Sequence, residues 1–125
     1  MNNELLNEVF NYIDKHYEEA IRDLIKLCSQ PSISARNEGL NECANLVKEL
    51  LENIGAKVEL LKINNAPPLV YAELTSNKSD KTLLFYNHYD VQPPEPLEEW
   101  KSPPFKPTIR NDKIYARGVS DNKGN

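Results

Sequence analysis

His88-Tyr89-Asp90 sets an imidazole and a carboxylate two residues apart, directly after an apolar run. In extended backbone, residues i and i+2 project to the same side. The carboxylate can therefore lie beside the ring and accept its N–H. Such a contact fixes the tautomer and presents the other nitrogen to a metal ion. The end of a strand is also where α/β sheets place ligands. An exposed histidine beside a helpful carboxylate would share this spacing. Asp121 is the second residue with chemistry in its type and setting, in a loop after Ala116-Arg117-Gly118. A carboxylate has two oxygens, so one aspartate can bridge two metal ions about 3.5–4 Å apart. It could equally cap a helix beginning at Asn122.

Other reactive types lie in weaker settings. Glu98-Glu99 and Glu18-Glu19 are paired carboxylates, the first in a proline-rich stretch and the second on the polar side of a helical pattern. Both read as solvated charges. His16 stands alone among acidic neighbours and reads as a surface residue. Cys28 and Cys43 fall at apolar helix positions, with no CxxC or Cys/His cluster, and are expected to be small buried thiols. Trp100 and Phe105 are expected to anchor a loop rather than line a channel. Gly118 and Gly124 lack the spacing and context of a dinucleotide fingerprint.

The elements that must position these residues show in the apolar periods. Leu6, Val9, Phe10, Ile13, Tyr17, Ile21, Leu24 and Cys28 recur at helical spacing, predicting an amphipathic helix over 3–29 closed by Pro31. Leu40, Cys43, Val47, Leu50, Leu51 and Ile54 predict a second helix over 38–54, with Asn37 as N-cap and Gly55 past its end. The period then changes. Strands are predicted over 58–63 and 69–74. The near-continuous apolar run Thr82-Leu83-Leu84-Phe85-Tyr86-Asn87 marks a strand covered on both faces. Residues 91–107 carry Pro93, Pro94, Pro96, Pro103, Pro104 and Pro107 and can hold little regular structure. A hairpin follows, pairing 108–110 with 113–115 around Asn111-Asp112. The pattern is α/β.

Bulk properties exclude several classes. The 125 residues fit one domain or part of one, with 39% hydrophobic and 27% charged residues. A net charge of −4, with lysines and arginines scattered singly, argues against nucleic acid or an anionic membrane as partner. No apolar stretch approaches the roughly 20 residues a spanning helix needs. The first residues show no secretory pattern, so a cytoplasmic protein is expected.

The motifs now become specific. Leu84-Phe85-Tyr86-Asn87-His88-Tyr89-Asp90-Val91-Gln92-Pro93-Pro94 resembles the first metal motif of a family of di-zinc metallopeptidases and deacylases. That family comprises acetylornithine deacetylase, succinyl-diaminopimelate desuccinylase, carboxypeptidase G, aminoacylase and carnosinase. Trp100, Pro104-Phe105 and Ile114-Tyr115-Ala116-Arg117-Gly118-Val119-Ser120-Asp121-Asn122-Lys123-Gly124 resemble its second motif, in order and spacing. The motif region covers roughly a third of the chain. Upstream, a long helix, Pro31-Ser32-Ile33-Ser34 and a second helix ending in glycine agree more loosely. Asn87 and Ala116 stand where the family commonly has glycine, and asparagine tolerates the left-handed backbone that glycine allows. Neither departure removes a ligand. The wording from Tyr89 to Pro94, with Trp100 after Glu98-Glu99, is most similar to the carnosinase-like dipeptidase branch.

The resemblance implies the N-terminal part of a three-layer zinc-peptidase catalytic domain, two amphipathic helices packed on a mixed β-sheet. It implies that His88 binds one of two zinc ions, that Asp121 bridges both, and that Asp90 orients His88. It also implies a cis peptide between Asp121 and Asn122. The activity it implies is hydrolysis of a dipeptide or other peptide amide by a zinc-activated water. An N-acyl amino acid deacylase is the alternative within that chemistry, and a non-catalytic α/β interaction module the alternative outside it. The chain breaks off inside a functional-looking loop, so residues 1–125 are expected to be the N-terminal portion of the catalytic domain. The general base and remaining ligands are expected beyond Asn125. Alone, this portion is expected to bind zinc weakly, to hydrolyse nothing, and either to pair as a homodimer through an open sheet edge or to leave the segment after Val91 poorly ordered.

Overall fold

The computed structural model describes residues 3–125. Helix α1 spans Asn3–Ser29, as its apolar period predicts. It stops where Pro31 bars Gln30 from helical backbone. Its 27 residues make a rod about 40 Å long, yet only the C-terminal end is packed. Cys28 is buried, while Val9, Phe10, Ile13 and Tyr17 remain exposed. The cause is length: helix α2, Leu40–Asn53, has 14 residues and cannot cover a helix of 27.

The link between the helices is tight. Ser34–Arg36 form a 3-10 turn that Asn37 closes in left-handed backbone, φ 51°. Asn37 is thus not the N-cap of α2. That position belongs to Gly39, φ 67°, where a Cβ would lie 2.1 Å from the carbonyl oxygen of Pro31. Close approach of the chain to itself selects glycine over a capping side chain. At the other end, Gly55 N–H donates to Glu52 O at 2.9 Å and Ala56 N–H to Leu51 O at 3.1 Å. With Gly55 at φ 89°, this is the Schellman closure the glycine predicts.

Strand β1, Lys57–Leu61, pairs antiparallel with β2, Leu69–Glu73, with Val58 opposite Ala72 and Leu60 opposite Val70. These four residues form the half-buried face, and α2 packs against both strands. Strands β3, Thr108–Arg110, and β4, Lys113–Tyr115, form a second antiparallel pair. Asn111 and Asp112 are both left-handed, φ 50° and 57°, the backbone of a two-residue type I′ hairpin.

The run Thr82–Asn87 departs from expectation. It forms no strand, and Leu83, Leu84, Phe85 and Tyr86 are 81–92% exposed. An apolar run of this kind needs a strand on each edge and cover on each face, and no described strand pairs with it. The architecture is therefore two helices with two small antiparallel sheets, in place of one mixed sheet.

The core gathers where the elements meet. Cys28, Ile33, Leu40, Cys43, Ala44, Val91 and Ala116 are buried, at the end of α1, the linker, the start of α2 and two segments of the second half. Both cysteines are free thiols, and burial raises the pKa of Cys28. The segment after Val91 makes defined contacts. Trp100 Nε1 donates to Pro94 O at 2.7 Å and Arg117 N–H to Pro104 O at 2.8 Å.

Candidate metal centre

The extended segment carrying His88 is seated at its end by the linker between the helices. Val91 N–H donates to Ser32 O at 2.8 Å, and Ile33 and Val91 form a parallel bridge. Ser32 Oγ, fully buried, donates to Tyr89 O at 2.7 Å. Tyr89 OH reaches Pro68 O at 2.7 Å, tying the same residue to the start of β2. Alternation along this extended end then sends His88 and Asp90 to one side.

The contact expected from the spacing is present. His88 Nδ1 lies 3.1 Å from Asp90 Oδ1 and 3.1 Å from Asp90 O. The second Asp90 oxygen accepts from Ser34 Oγ at 2.6 Å. On the other side of the ring, His88 Nε2 lies 3.1 Å from Asp121 Oδ1. Asp121, 33 positions from His88 in sequence, thus meets the same imidazole as Asp90. The cluster faces water, since the Asp121 side chain is 77% exposed.

Asp121 sits in a turn. The Asp121–Asn122 peptide is cis. Asn122, buried, donates its amide to Asn87 Oδ1 at 3.1 Å. This contact accounts for Asn87 better than its tolerance of left-handed backbone, a conformation it does not adopt. Asn87 and Asn122 are the immediate neighbours of His88 and Asp121, so one hydrogen bond staples the two motifs together.

Protonation at His88 follows from this geometry. Burial pulls its pKa down, but the Asp90 carbonyl, the Asp90 charge and the hydrogen bond and charge of Asp121 together raise it. In the neutral ring, an Nδ1–H donated to Asp90 leaves Nε2 as a lone pair facing the Asp121 carboxylate. Two acceptor atoms 3.1 Å apart need a proton between them or a cation beside both. An imidazole and a carboxylate are suitable donors for zinc, so these residues fit part of a metal site. They do not complete one. Among the described residues no group of three or more His, Cys, Asp or Glu is arranged to hold a metal ion.

The remaining reactive types lie elsewhere. Glu98 and Glu99 are exposed in a 3-10 turn, and Glu18 and Glu19 on α1. His16 contacts Glu19 at 3.2 Å and stacks on Tyr12, centroids 4.2 Å apart. Trp100 anchors its loop as expected, with the Arg117 guanidinium 5.2 Å from its ring centre. Sequence reading gave no role to Ser32, Ser34 or Lys123. Their partners are tens of residues away, and the sequence marks them only through the Pro31-Ser32-Ile33-Ser34 wording and the motif ending Lys123-Gly124.

A helix–linker–helix clamp that presents a histidine between two aspartates defines the class: α/β chains gathering imidazole and carboxylate donors at one extended-segment end. Residues 84–125 match the model of Peptidase family M20/M25/M40. The chain is 33% identical to the Beta-Ala-His dipeptidase of Mus musculus over 96% of its own length and 27% of the relative's. It is 36% identical to the succinyl-diaminopimelate desuccinylase of Methylococcus capsulatus, over 80% of the chain and 25% of that protein. Among solved structures, the M20 family metallo-carboxypeptidase Sso-CP2 from Sulfolobus solfataricus superposes with a TM-score of 0.80 and 54% identity. That match covers 85% of this chain and 24% of the other. The chain is thus similar to members of the peptidase M20 family. It spans about a quarter of the length of these relatives.

Proposed function

We propose that residues 1–125 are the N-terminal portion of the catalytic domain of a zinc-dependent metallopeptidase that cleaves dipeptides or other peptide amides. The observation that carries this reading is the single imidazole with Asp90 on one nitrogen and Asp121 on the other, each 3.1 Å away. In this reading His88 and Asp121 would hold zinc, with Asp121 shared between two ions. Asp90 holds the His88 N–H and so keeps Nε2 free, and Ser34 holds Asp90. Two zinc ions bound there supply an activated water and polarise the scissile carbonyl. The general base and the other ligands come from beyond Asn125. The reading takes a small peptide as substrate, the cytoplasm as location, consistent with two free thiols, and neither nucleic acid nor membrane as partner. No helix among the described residues is long and apolar enough to cross a membrane.

Zinc titration of the purified chain, with a dipeptide hydrolysis assay alongside, tests this. Weak binding lost in His88→Ala and in Asp121→Ala, with no hydrolysis, is the expected result. Binding indifferent to both substitutions would remove the reading. The identity to a desuccinylase supports a second one, N-acyl amino acid deacylation. Dipeptides and acylated amino acids offered to the full-length protein separate the two by which class is cleaved.

A further inference from the structure

Lys123 is only 8% exposed, and lysine is rarely buried without partners. Its ammonium donates to Leu27 O at 3.0 Å and to Gln30 O at 2.7 Å. Leu27 lies in the last turn of α1 and Gln30 just past it, where carbonyl oxygens lack intrahelical donors and the helix dipole is negative. Burial lowers the lysine's pKa while Cys43 and Cys28 act the other way. The loop is shaped around the stem of this side chain. Lys123 N–H donates to Gly118 O at 2.9 Å, and a Cβ on Gly118 would lie 2.7 Å from Val91 Cγ1 and 3.3 Å from Lys123 Cδ. A Cβ on Gly124 would lie 2.1 Å from Val119 O.

This helix end also leads directly into the linker that seats the other half of the cluster. Ser32 holds Tyr89, and Ser34 holds Asp90. One end of α1 therefore fixes His88 through the linker and Asp121 through Lys123. We propose that Lys123 is a positioning residue, pinning the 118–125 loop to the C-terminus of α1 so that Asp121 stays against His88. The purpose of this contact rests on the proposed metal site, but its test does not.

The chain has two histidines, so the ¹⁵N ring signals of His88 and His16 are readily told apart. The experiment is the spectrum of the metal-free chain as wild type, Lys123→Met and Asp121→Asn, at one pH, with amide hydrogen exchange on each. Lys123→Met keeps the stem and removes the charge. It is expected to move the His88 signal toward its place in Asp121→Asn and leave His16 unmoved. Amide exchange should quicken about tenfold in 118–125 while α2 and the β1–β2 pair keep their protection. A His88 signal that stays put overturns the proposal. So does faster exchange spread evenly over the molecule, which would make the lysine merely structural. Should Lys123→Met fail to fold, the wild-type chain decides: ammonium protons of Lys123 protected from exchange and close to Leu27 and Gln30 support the contact, and rapidly exchanging ones refute it. Zinc binding indifferent to His88→Ala removes the metal reading and leaves these metal-free spectra to decide Lys123.

Discussion

At His88 the deciding matter is which ring nitrogen is left free. Asp90 on Nδ1 answers it, and Ser34 on the second Asp90 oxygen keeps that carboxylate in place. Asp90→Asn can present an amide N–H to Nδ1 and favour the wrong tautomer, so zinc affinity should fall roughly 10–100-fold, as measured against a chromophoric chelator. An unchanged affinity would leave Asp90 without its assigned role. A second residue-scale tie joins Arg36 Nη2 to Glu95 Oε2 at 2.6 Å, linking the 3-10 turn to the proline loop. The hydrogen bond from Arg36 holds the Glu95 carboxyl below its usual pKa. A carboxylate with a depressed folded pKa stabilises the fold above its unfolded pKa, and the effect is lost as pH falls through the folded value. Thermal melts should therefore show wild type slightly above Glu95→Gln near neutral pH, converging as the solution becomes more acid than about pH 4. A gap that persists in acid would contradict the ion pair. The contact of His88 with Asp90 is legible in their spacing, whereas Asp121 is linked to them in the sequence only by the resemblance of its motif. The roles of Ser34 and Lys123 are not legible, because their partners lie 56 and more than 90 residues away and the motifs that contain them name no partner.

Among the elements, those closed by local chemistry are the ones the sequence foretells. Apolar period and Pro31 bound α1, Gly55 ends α2, and Asn111-Asp112 turns the hairpin. Asn37 misleads because a capping preference is outweighed by the crowding of Gly39 against Pro31. Gly39→Ala should accordingly destabilise the chain by at least about 2 kcal/mol, adding left-handed strain to a clash with backbone. Urea unfolding would measure this, and a neutral substitution would mean that the linker has room to move. The run Thr82–Asn87 misleads for another reason. Its composition records a preference for burial between partners, but composition cannot supply the partners, and the run stays exposed.

At the scale of the whole molecule, the uncovered apolar surface among the described residues includes one face of the N-terminal half of α1 and residues 83–86. The fully buried core lies where the end of α1, the linker and the start of α2 meet the segments around Val91 and Ala116, beside the seats of both halves of the cluster. Exposed apolar chain with unpaired backbone polar groups promotes association. Light scattering should show concentration-dependent self-association that the double substitution Leu84→Lys, Phe85→Lys reduces without lowering the melting temperature. A monomer at every concentration would contradict that. The account as a whole depends on His88 and Asp121 serving the same cation. A double-mutant cycle on zinc affinity, using His88→Ala, Asp121→Ala and the pair, tests this most directly. If the two share one ion, each single substitution removes most of the binding and the double variant loses little more than the worse single one. Losses that simply add, or no loss at all, would show that the two residues do not act on one metal.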